Sequence, residues 1–421
     1  MTASQISLVV RCREHASSRN GRSITLVNPA MEEPLRERRR QLAVLAVALV
    51  MAMSTWFSTA AVLGQLRQDW SLSQLQGSWL TIAVQLGFVA GAIVSSVTNL
   101  ADRVPPRRLL LFGTIGAAAA NTAVVLGDDF TAAIVARLFT GAFLAGVYPP
   151  ALKAMSSWYR TGRGFALGVM IGALTIGSAL PHLINALGGL DWKPTLLVVS
   201  AVTLVGGIGA EVFGADGPYG TSAATFNPAQ FRAIISNREF RLASFGYFGH
   251  MWELYAMWAW VAAFYGDALG SKRQASLAAF AVIAIGAAGS VYAGLVSDRR
   301  SRPEAAALAL RWSGSVALFI GFLVDAPDAI VIIAGLVWGF WVVADSAQFS
   351  TIVTEVTDPQ YIGTALTIQL AAGFVLTVFT IFLVPVLRDH LGWGWAFMFL
   401  APGPLLASLA MRALRPAAPK T

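Results

Sequence analysis

The sequence has one cysteine and few charged residues. Of its 421 residues, 12% are charged and 56% are hydrophobic. Soluble domains carry about 25% charged residues, so this chain has too few to coat a water-exposed surface, and its apolar surface must face lipid. The single cysteine, Cys12, excludes an intramolecular disulfide and a cysteine-rich metal site. The composition excludes a soluble globular protein and indicates an integral membrane protein.

The formal charge of +8 is the only feature that favours nucleic acid as a partner. The basic residues, however, lie in short loops between apolar segments, where Lys and Arg set membrane topology. We therefore expect the lipid bilayer, and not nucleic acid, to be the partner of this chain.

Apolar segments recur along the chain at the length of a membrane helix, about 20 residues. They lie near 41–66, 75–99, 107–126, 130–150, 164–187, 193–213, 240–266, 273–296, 304–324, 328–348, 363–387 and 393–412. We number these predicted spans one to twelve. They predict an all-α membrane protein in which two six-helix bundles, 41–213 and 240–412, are joined by a linker at 214–239.

The two ends of the chain are polar. We expect residues 1–40 to form a disordered tail and residues 413–421 a short one. Met31 is a second plausible start of translation, before the basic run that ends at Arg40.

Lys and Arg are concentrated in alternate loops. One face holds the clusters 36–40, 103–108, 153–163, 232–241, 299–302 and 412–420, whereas the other holds Arg67, Lys193, Lys272, Arg273 and Arg388. Because cytoplasmic loops carry the excess of Lys and Arg, we expect both termini and the linker to be cytoplasmic, and the protein to lie in the cell (inner) membrane.

Two polar loops share one pattern. The loop after the second span reads Thr98-x-x-x-Asp102-Arg103-x-Pro105-x-Arg107-Arg108, and the loop after the eighth reads Gly294-x-x-x-Asp298-Arg299-x-Ser301-Arg302. Such runs of arginine cannot lie in lipid. Their repetition predicts that the chain contains two copies of one plan.

This arrangement resembles the major facilitator superfamily, whose loop signature is G-x-x-x-D-R/K-x-G-x-R/K-R/K. Both glycines are replaced in the first copy, and the second glycine is Ser301 in the second copy. Further matches are Arg137-x-x-x-Gly141 in the fourth span, Pro149-Pro150 after it, and Arg163-Gly164 at the start of the fifth. The resemblance covers about 40–412 and implies a secondary transporter of unresolved subfamily.

The acidic residues of these loops gain nothing from the positive-inside rule. A carboxylate at a helix end can accept hydrogen bonds from helix N-terminal amides, or pair with arginines, of the other bundle. We therefore expect the loops to latch the two bundles on the cytoplasmic side. The candidate gating residues are Asp102, Arg103, Arg107, Asp298 and Arg299; the alternative for the arginines is that they only enforce topology.

Four ionisable residues inside predicted spans stand out: Arg137, His250, Glu253 and Asp345. Such a residue costs about 2.5–3.5 kcal/mol on insertion scales, so it usually faces a cavity and has a function. The resemblance links Arg137 to proton coupling or to binding of an anionic substrate, and the alternative is a structural ion pair. We expect Glu253 to be the leading proton carrier.

His250 and Glu253 are three residues apart and can share one helix face. Their spacing also occurs in metal sites, but no third ligand is near them in the sequence, so we expect no metal and no cofactor. The alternative for His250 is a neutral core histidine. Asp345 lies near the predicted cytoplasmic end of the tenth span, where we expect it to be half-solvated.

The seventh span is rich in aromatic residues. Trp252 and Tyr255 lie near Glu253 and are candidates for lining a substrate cavity, although packing or lipid-facing roles are the alternative. Polar residues within other spans can supply hydrogen bonds to a substrate. The candidates are Gln85, His182, Gln348 and Gln369.

Glycines recur every four residues at Gly164, Gly168 and Gly172, and again at Gly87 and Gly91. Small residues at this spacing let two membrane helices approach closely. We therefore predict a close helix contact along the fifth span.

These features together predict a monomeric secondary transporter that works by alternating access, with a site between the two bundles. We expect a small organic solute and coupling to protons. An organic anion is favoured by Arg137 and the histidines; the alternative, export of amphipathic compounds, is favoured by the aromatic residues. A non-transporting receptor would be favoured by a large soluble domain, which these residues do not contain. An enzyme is not expected, because the sequence has no paired acids or histidine cluster of metal-ligand spacing.

Overall fold

The computed structural model describes residues 29–127, 129–188, 191–219 and 228–414. Within these ranges the chain is helical and has no strand, so the predicted all-α class is confirmed. The predictions for residues 1–28, 220–227 and 415–421 lie outside the described residues. The chain divides into two units after Arg39. The described part of the first unit is helical, and the packing below is that of the second.

The first half contains the helices of predicted spans one to six. They are α1 (Pro29–Ala52), a 3₁₀ turn (Met53–Thr55), α2 (Ser58–Ala61), α3 (Leu63–Asp69), α4 (Gln74–Val97), α5 (Leu100–Arg103), α6 (Pro106–Gly127), α7 (Phe130–Leu144), α8 (Tyr148–Ser156), α9 (Arg163–Gly188) and α10 (Trp192–Phe213). Helix α1 begins before residue 41, where the first span was predicted to start. That span is also not one helix, because the chain is interrupted between α1 and α3.

The second half contains the helices of predicted spans seven to twelve. They are a 3₁₀ turn (Pro228–Gln230), α11 (Phe231–Ser236), α12 (Arg238–Leu269), α13 (Lys272–Ala284), α14 (Gly286–Arg299), α15 (Arg302–Ala317), a 3₁₀ turn (Ile320–Leu323), α16 (Asp328–Ala344), α17 (Ser346–Val356), a 3₁₀ turn (Pro359–Tyr361), α18 (Ile362–Met398) and α19 (Pro402–Ala413). Helix α18 is kinked at Gly392, whose φ of +83° is outside the helical region and falls between predicted spans eleven and twelve.

Side chains at the helix ends explain where several helices begin and end. At α4, the Gln76 amide donates to Ser73 Oγ at 3.1 Å and the Ser73 amide donates to Gln76 Oε1 at 2.8 Å, a reciprocal cap. Asp129 and Asn237 accept hydrogen bonds from first-turn amides of α7 and α12. Helix α12 ends at Gly270, whose φ of +66° is readily adopted only by glycine.

Eight stretches of the described chain are long and apolar enough to cross a membrane, by length and composition. The last, Ile362–Ala413, has 52 residues and contains both the eleventh and the twelfth predicted spans. The other three predicted spans are the interrupted first, the aromatic-rich seventh and the ninth, whose α15 has 16 residues. The described helices therefore accommodate twelve spans.

The two halves meet along α9 against α13 and α14, and along α4 against α18. Gly164, Gly168 and Gly172 all face α14. A Cβ added to Gly168 would lie 2.6 Å from the carbonyl oxygen of Ser290, whose hydroxyl donates to the Gly168 carbonyl at 2.9 Å. The predicted close contact along the fifth span is confirmed, and it joins the two halves.

We call the end of the helices that carries loops 103–108 and 299–302 the arginine-rich end, and the other the arginine-poor end. At the arginine-poor end each half has the same contact between its first and last spans. The Trp192 indole donates to Asp69 at 2.7 Å, and the Trp393 indole donates to Asp267 at 2.8 Å. A cation lies 5.3 Å from each ring centroid: Lys193 at Trp192, and Arg388 at Trp393. We call these contacts the indole clamps.

Candidate functional site

Arg137 lies on α7 and is fully buried. Its guanidinium donates to Thr55 O (2.9 Å), Asn121 Oδ1 (3.0 Å), Ser58 Oγ (3.1 Å), Leu80 O (3.3 Å) and Trp56 O. All five acceptors are uncharged oxygens, so these contacts do not include the ion pair that was the alternative for this residue. Two of the carbonyls lie where the first span is interrupted. Arg137 therefore supplies donors to carbonyl oxygens at the point where the helix of the first span is interrupted.

Asn121 extends this network toward the sixth span. Its amide donates to Leu196 O at 3.1 Å and to Ser200 Oγ at 3.0 Å, and its carbonyl accepts from Ser58 at 2.8 Å. The network thus connects the broken first span to α6, α7 and α10, within the first half.

Glu253 lies on α12 and is 1% exposed. One carboxyl oxygen accepts a hydrogen bond from the Ser313 hydroxyl at 2.8 Å and the other accepts from the Trp338 indole at 2.7 Å. These donors lie on α15 and α16, so the carboxyl group is held inside the second half. Ser313 and Trp338 were not predicted to be partners of Glu253, because serine and tryptophan are ordinary residues in membrane helices.

His250, one turn before Glu253, contacts a different set of residues. Its Nδ1 lies 2.8 Å from Asp345 Oδ1, and its Nε2 lies 3.0 Å from Ser346 Oγ. Sharing a helix face with Glu253 therefore does not give the two residues the same partners.

Asp345 is 1% exposed, so the expectation that it is half-solvated was wrong. The predicted tenth span ended at residue 348, whereas the helical chain continues through α17 to Val356. Asp345 consequently lies in the middle of the span, where α16 ends and α17 begins.

Six aromatic side chains form a cluster between the two halves, which we call the aromatic cluster. Its members are Trp56, Phe57 and Phe88 of the first half and Tyr255, Trp258 and Phe374 of the second. Phe88 and Phe374 are 4.8 Å apart across the interface, and Phe57 and Trp258 are 5.6 Å apart. Tyr255 was a candidate from the sequence. Trp56 and Phe57 were not, because the sequence analysis treated 41–66 as one continuous span.

Several buried polar side chains have atoms with no hydrogen-bond partner among the described residues. They include both polar side-chain atoms of Gln85, His182 and Gln348, Nε2 of Gln369, and the indole nitrogens of Trp56 and Trp258. Four of these residues were predicted to line a cavity. Gln85 lies one turn from Phe88, and Trp56 and Trp258 belong to the aromatic cluster itself. A buried polar group without a partner costs about 1–3 kcal/mol, so such groups usually serve a ligand or water.

Trp252 lies apart from this cluster. Its indole donates to the Phe399 carbonyl at 3.1 Å, and its ring packs against Phe379 and Phe399. The structure therefore places Trp252 against the last span of its own half.

At the arginine-rich end, Asp298 connects the two halves. Its two carboxylate oxygens accept hydrogen bonds from the Gly164 amide at 3.1 Å and the Phe165 amide at 3.0 Å, in the first turn of α9. This is the contact expected of a loop carboxylate. The side chain of Asp102 is outside the described residues. Arg103 and Arg299 are exposed, and Arg107 is half-buried.

Contacts between the halves occur on both sides of the aromatic cluster. Besides Asp298, the Ser96 and Thr367 hydroxyls are 3.1 Å apart at the arginine-rich end. Toward the arginine-poor end, the Asn185 amide donates to Ser276 at 3.1 Å. The cluster therefore lies between two contact zones.

Three curated relatives resemble parts of the chain. A 3-(3-hydroxy-phenyl)propionate transporter of Escherichia coli is 30% identical over 145 residues, which is 34% of this chain and 35% of the relative. A tetracenomycin C resistance and export protein of Streptomyces glaucescens is 27% identical, over 39% of this chain and 32% of the relative. The multidrug efflux pump LfrA of Mycolicibacterium smegmatis is 26% identical, over 39% and 33% respectively. The chain thus spans about a third of the length of these relatives.

A family model described as Major Facilitator Superfamily matches residues 44–264 and again residues 243–421. The first match covers the first half and the seventh span, and the second match covers the second half. Because together they cover nearly the whole chain, this protein belongs to the major facilitator superfamily.

Proposed function

We propose that this protein is a secondary transporter that carries a small organic solute by alternating access, in exchange for or together with protons. The observation that carries the proposal is the aromatic cluster, which both halves build. It contains or adjoins buried indole and amide groups that have no partner in the described part of the chain. A solute bound there contacts both halves at once. Its binding energy can therefore depend on how the halves are arranged, as alternating access requires.

We favour an aromatic carboxylate as the solute. The ring of such a molecule can pack against the rings of the cluster, while its carboxylate accepts hydrogen bonds from indole and amide N–H groups. The printed name of the relative from Escherichia coli, a 3-(3-hydroxy-phenyl)propionate transporter, is in line with this class. Arg137 gives less support than the sequence suggested, because its hydrogen bonds are directed to the first span.

Export of amphipathic compounds is the second candidate. The groups in and beside the cluster that have no partner among the described residues are the indoles of Trp56 and Trp258 and the amide of Gln85. These uncharged groups suit a neutral or weakly polar ligand as well as an anion. The other two relatives are an export protein and an efflux pump by name.

We assign the arginine-rich end to the cytoplasm on the positive-inside rule. The Asp298 contact with α9 then acts as a cytoplasmic latch that must open when the site faces inward. Coupling to protons is assigned to the buried ionisable groups of the second half, namely Glu253, His250 and Asp345. Nothing in this mechanism needs a second copy of the chain, so we propose a monomer.

A thermal-shift screen of the purified protein tests the substrate class. Ligands are 3-phenylpropionate, a hydrophobic aromatic cation and a neutral aromatic compound, each at two pH values. A ligand that binds only the folded state stabilises it by about 2.7 kcal/mol at 100 times its Kd. We expect stabilisation by the carboxylate, and its loss in the Gln85→Leu variant.

A measurement of solute flux across the membrane then distinguishes a transporter from a non-transporting receptor. Proteoliposomes that hold the protein should exchange labelled 3-phenylpropionate across the membrane. Stabilisation by a ligand without any flux would instead support a receptor, and stabilisation by the cation alone would support export.

A further inference from the structure

We propose that the coupling proton binds to Nε2 of His250, within a buried group formed by His250, Asp345 and Ser346, which we call the His250 group. This inference rests on the proposed proton-coupled transport. It assigns the proton to one atom of His250, whereas the sequence favoured Glu253 as the proton carrier.

The His250 group is buried and connects two spans. His250 is 3% exposed and Asp345 is 1% exposed. The imidazole of α12 contacts Asp345 through Nδ1 at 2.8 Å and Ser346 through Nε2 at 3.0 Å. Both partners come from the junction of α16 and α17, so one ring holds that junction through two consecutive residues.

Proton uptake at Nε2 can occur without breaking either contact. In the neutral tautomer that we assign, Nδ1 carries the hydrogen and lies 2.8 Å from Asp345 Oδ1, and the Ser346 hydroxyl donates to the Nε2 lone pair. After uptake, Nδ1–H still faces Asp345, while Nε2–H donates to the Ser346 oxygen and the hydroxyl hydrogen turns away. The net charge of the pair changes from −1 to 0. A bound proton therefore neutralises the pair.

The junction also connects the proton to the proposed substrate site. The backbone amide of Gln348 donates to the Asp345 carbonyl at 2.9 Å, which closes the first turn of α17. The Gln348 side chain is fully buried, and neither of its polar atoms has a partner among the described residues. Helix α17 in turn contacts α9 of the other half. Gln348, a group that can bind a substrate, thus lies about one helical turn after Asp345 and two residues after Ser346.

Other ionisable groups near the His250 group differ from it in their contacts. On α12, Tyr247 has its ring centroid 6.3 Å from that of His250, and Glu253 is bound by Ser313 and Trp338. Tyr148 of α8 interacts electrostatically with Tyr247, and Asp345 interacts with Glu253. Arg311 of α15 donates to the Ala307 carbonyl of its own helix at 3.1 Å.

The remaining charged residues of the other helices packed around α12 lie toward helix ends or beside the kink of α18 at Gly392. They are Arg232 on α11, Lys272, Arg273, Asp298 and Arg299 on α13 and α14, Arg302 and Glu304 on α15, Asp328 on α16, Glu355 on α17, and Arg388, Asp389, His390 and Arg412 on α18 and α19.

Glu253 is less suited to exchange protons. Each of its oxygens accepts a hydrogen bond from a different helix, and this arrangement fixes the positions of α15 and α16 around it. We assign Glu253 as a positioning residue that holds α16, and through it the Asp345 junction, against α12.

Nitrogen NMR of the histidine rings tests the proton site without any substrate. The chain has four histidines, so ¹⁵N-histidine labelling gives few signals, and His250→Gln and His390→Gln assign two of them. Over the pH range in which the protein stays folded, we expect Nε2 of His250 to gain a proton on acidification. Asp345→Asn should abolish this change, because the added proton would then leave a buried positive charge. A His250 ring whose protonation stays constant over this range overturns the proposal.

Transport in proteoliposomes tests coupling, with 3-phenylpropionate as the probe. A gradient of one pH unit drives accumulation of about tenfold for each coupled proton. We expect His250→Gln to retain exchange of labelled for unlabelled probe, which also shows that it folds, but to lose accumulation. His390→Gln, the same change at an exposed position, should retain both.

The outcomes separate this inference from the proposed function. Accumulation that persists in His250→Gln and disappears in Glu253→Gln overturns the assignment to His250. Wild-type protein that neither binds nor exchanges the probe refutes the proposed substrate class, while the NMR titration still decides the proton site.

Discussion

Replacing Arg137 tests whether this residue supports the broken first span or binds a substrate. Arg137→Met keeps much of the side-chain volume but removes every donor. The single hydroxyl hydrogen of Ser58 can then serve only one of Thr55 O and Asn121 Oδ1, which lie 3.0 and 2.8 Å from it. The other oxygen loses its donor, and Trp56 O loses the guanidinium. At about 1–3 kcal/mol for each buried unpaired oxygen, the loss is about 2–6 kcal/mol.

The assay is thermal or denaturant unfolding of the purified protein in detergent, followed by tryptophan fluorescence. Arg137→Lys should recover only part of the loss, because an ammonium group cannot reproduce the fork that contacts Thr55 and Trp56 together. Arg311→Met is the matched control, since Arg311 donates to a carbonyl of its own helix. An Arg137→Met protein that unfolds like the wild type but no longer binds 3-phenylpropionate would refute the structural role and place Arg137 in the substrate site.

Three further predictions concern the contacts between and within the halves. Gly168→Ala should strongly reduce transport, because its Cβ would lie 2.6 Å from Ser290 O. Gly209→Ala is the control and should transport normally, because a Cβ added there has no atom within 4 Å. Uptake into vesicles compares the two variants. Asp298→Asn should weaken the contact with α9 and speed the thiol labelling of a Ser96→Cys reporter in a Cys12→Ser background; an unchanged labelling rate would contradict the latch. Trp192→Phe should lower the free energy of unfolding by about 1–2 kcal/mol through loss of the hydrogen bond to Asp69, while Trp395→Phe, at a half-exposed position, should change it little.

The sequence predicted the features that depend on neighbouring residues along the chain. Apolar length located the spans, with boundaries that the helices extend by several residues, as at Val356. Glycine spacing identified the face of α9 that meets the other half. The loop pattern predicted a carboxylate bound to helix amides, and Asp298 makes that contact.

Features that depend on partners distant in the chain were not predicted. Hydropathy gives no sign that the carbonyls of Thr55 and Trp56 are left for Arg137, because that donor lies on another helix. The burial of Asp345 was missed for a related reason: a polar run after residue 348 looked like a loop, but it is helical and packed. Which acid pairs with His250 is decided by how α12 lies against the α16–α17 junction, whereas spacing on α12 indicated only that His250 and Glu253 share a helix face.

The indole clamps have a consequence for how the history of this chain is traced. The repeated loops suggested a duplication from their residue pattern. The two loop sequences nevertheless differ, and the first lacks both glycines of the signature. At the arginine-poor end, the residues of the two indole clamps do not follow one sequence pattern. Lys193 directly follows Trp192 in the first half, whereas Arg388 precedes Trp393 by five positions in the second half. The same carboxylate, indole and cation nevertheless meet in both halves. What the two halves share here is a relation between side chains in space, so a comparison of contact geometry finds this clamp where a comparison of residue order does not.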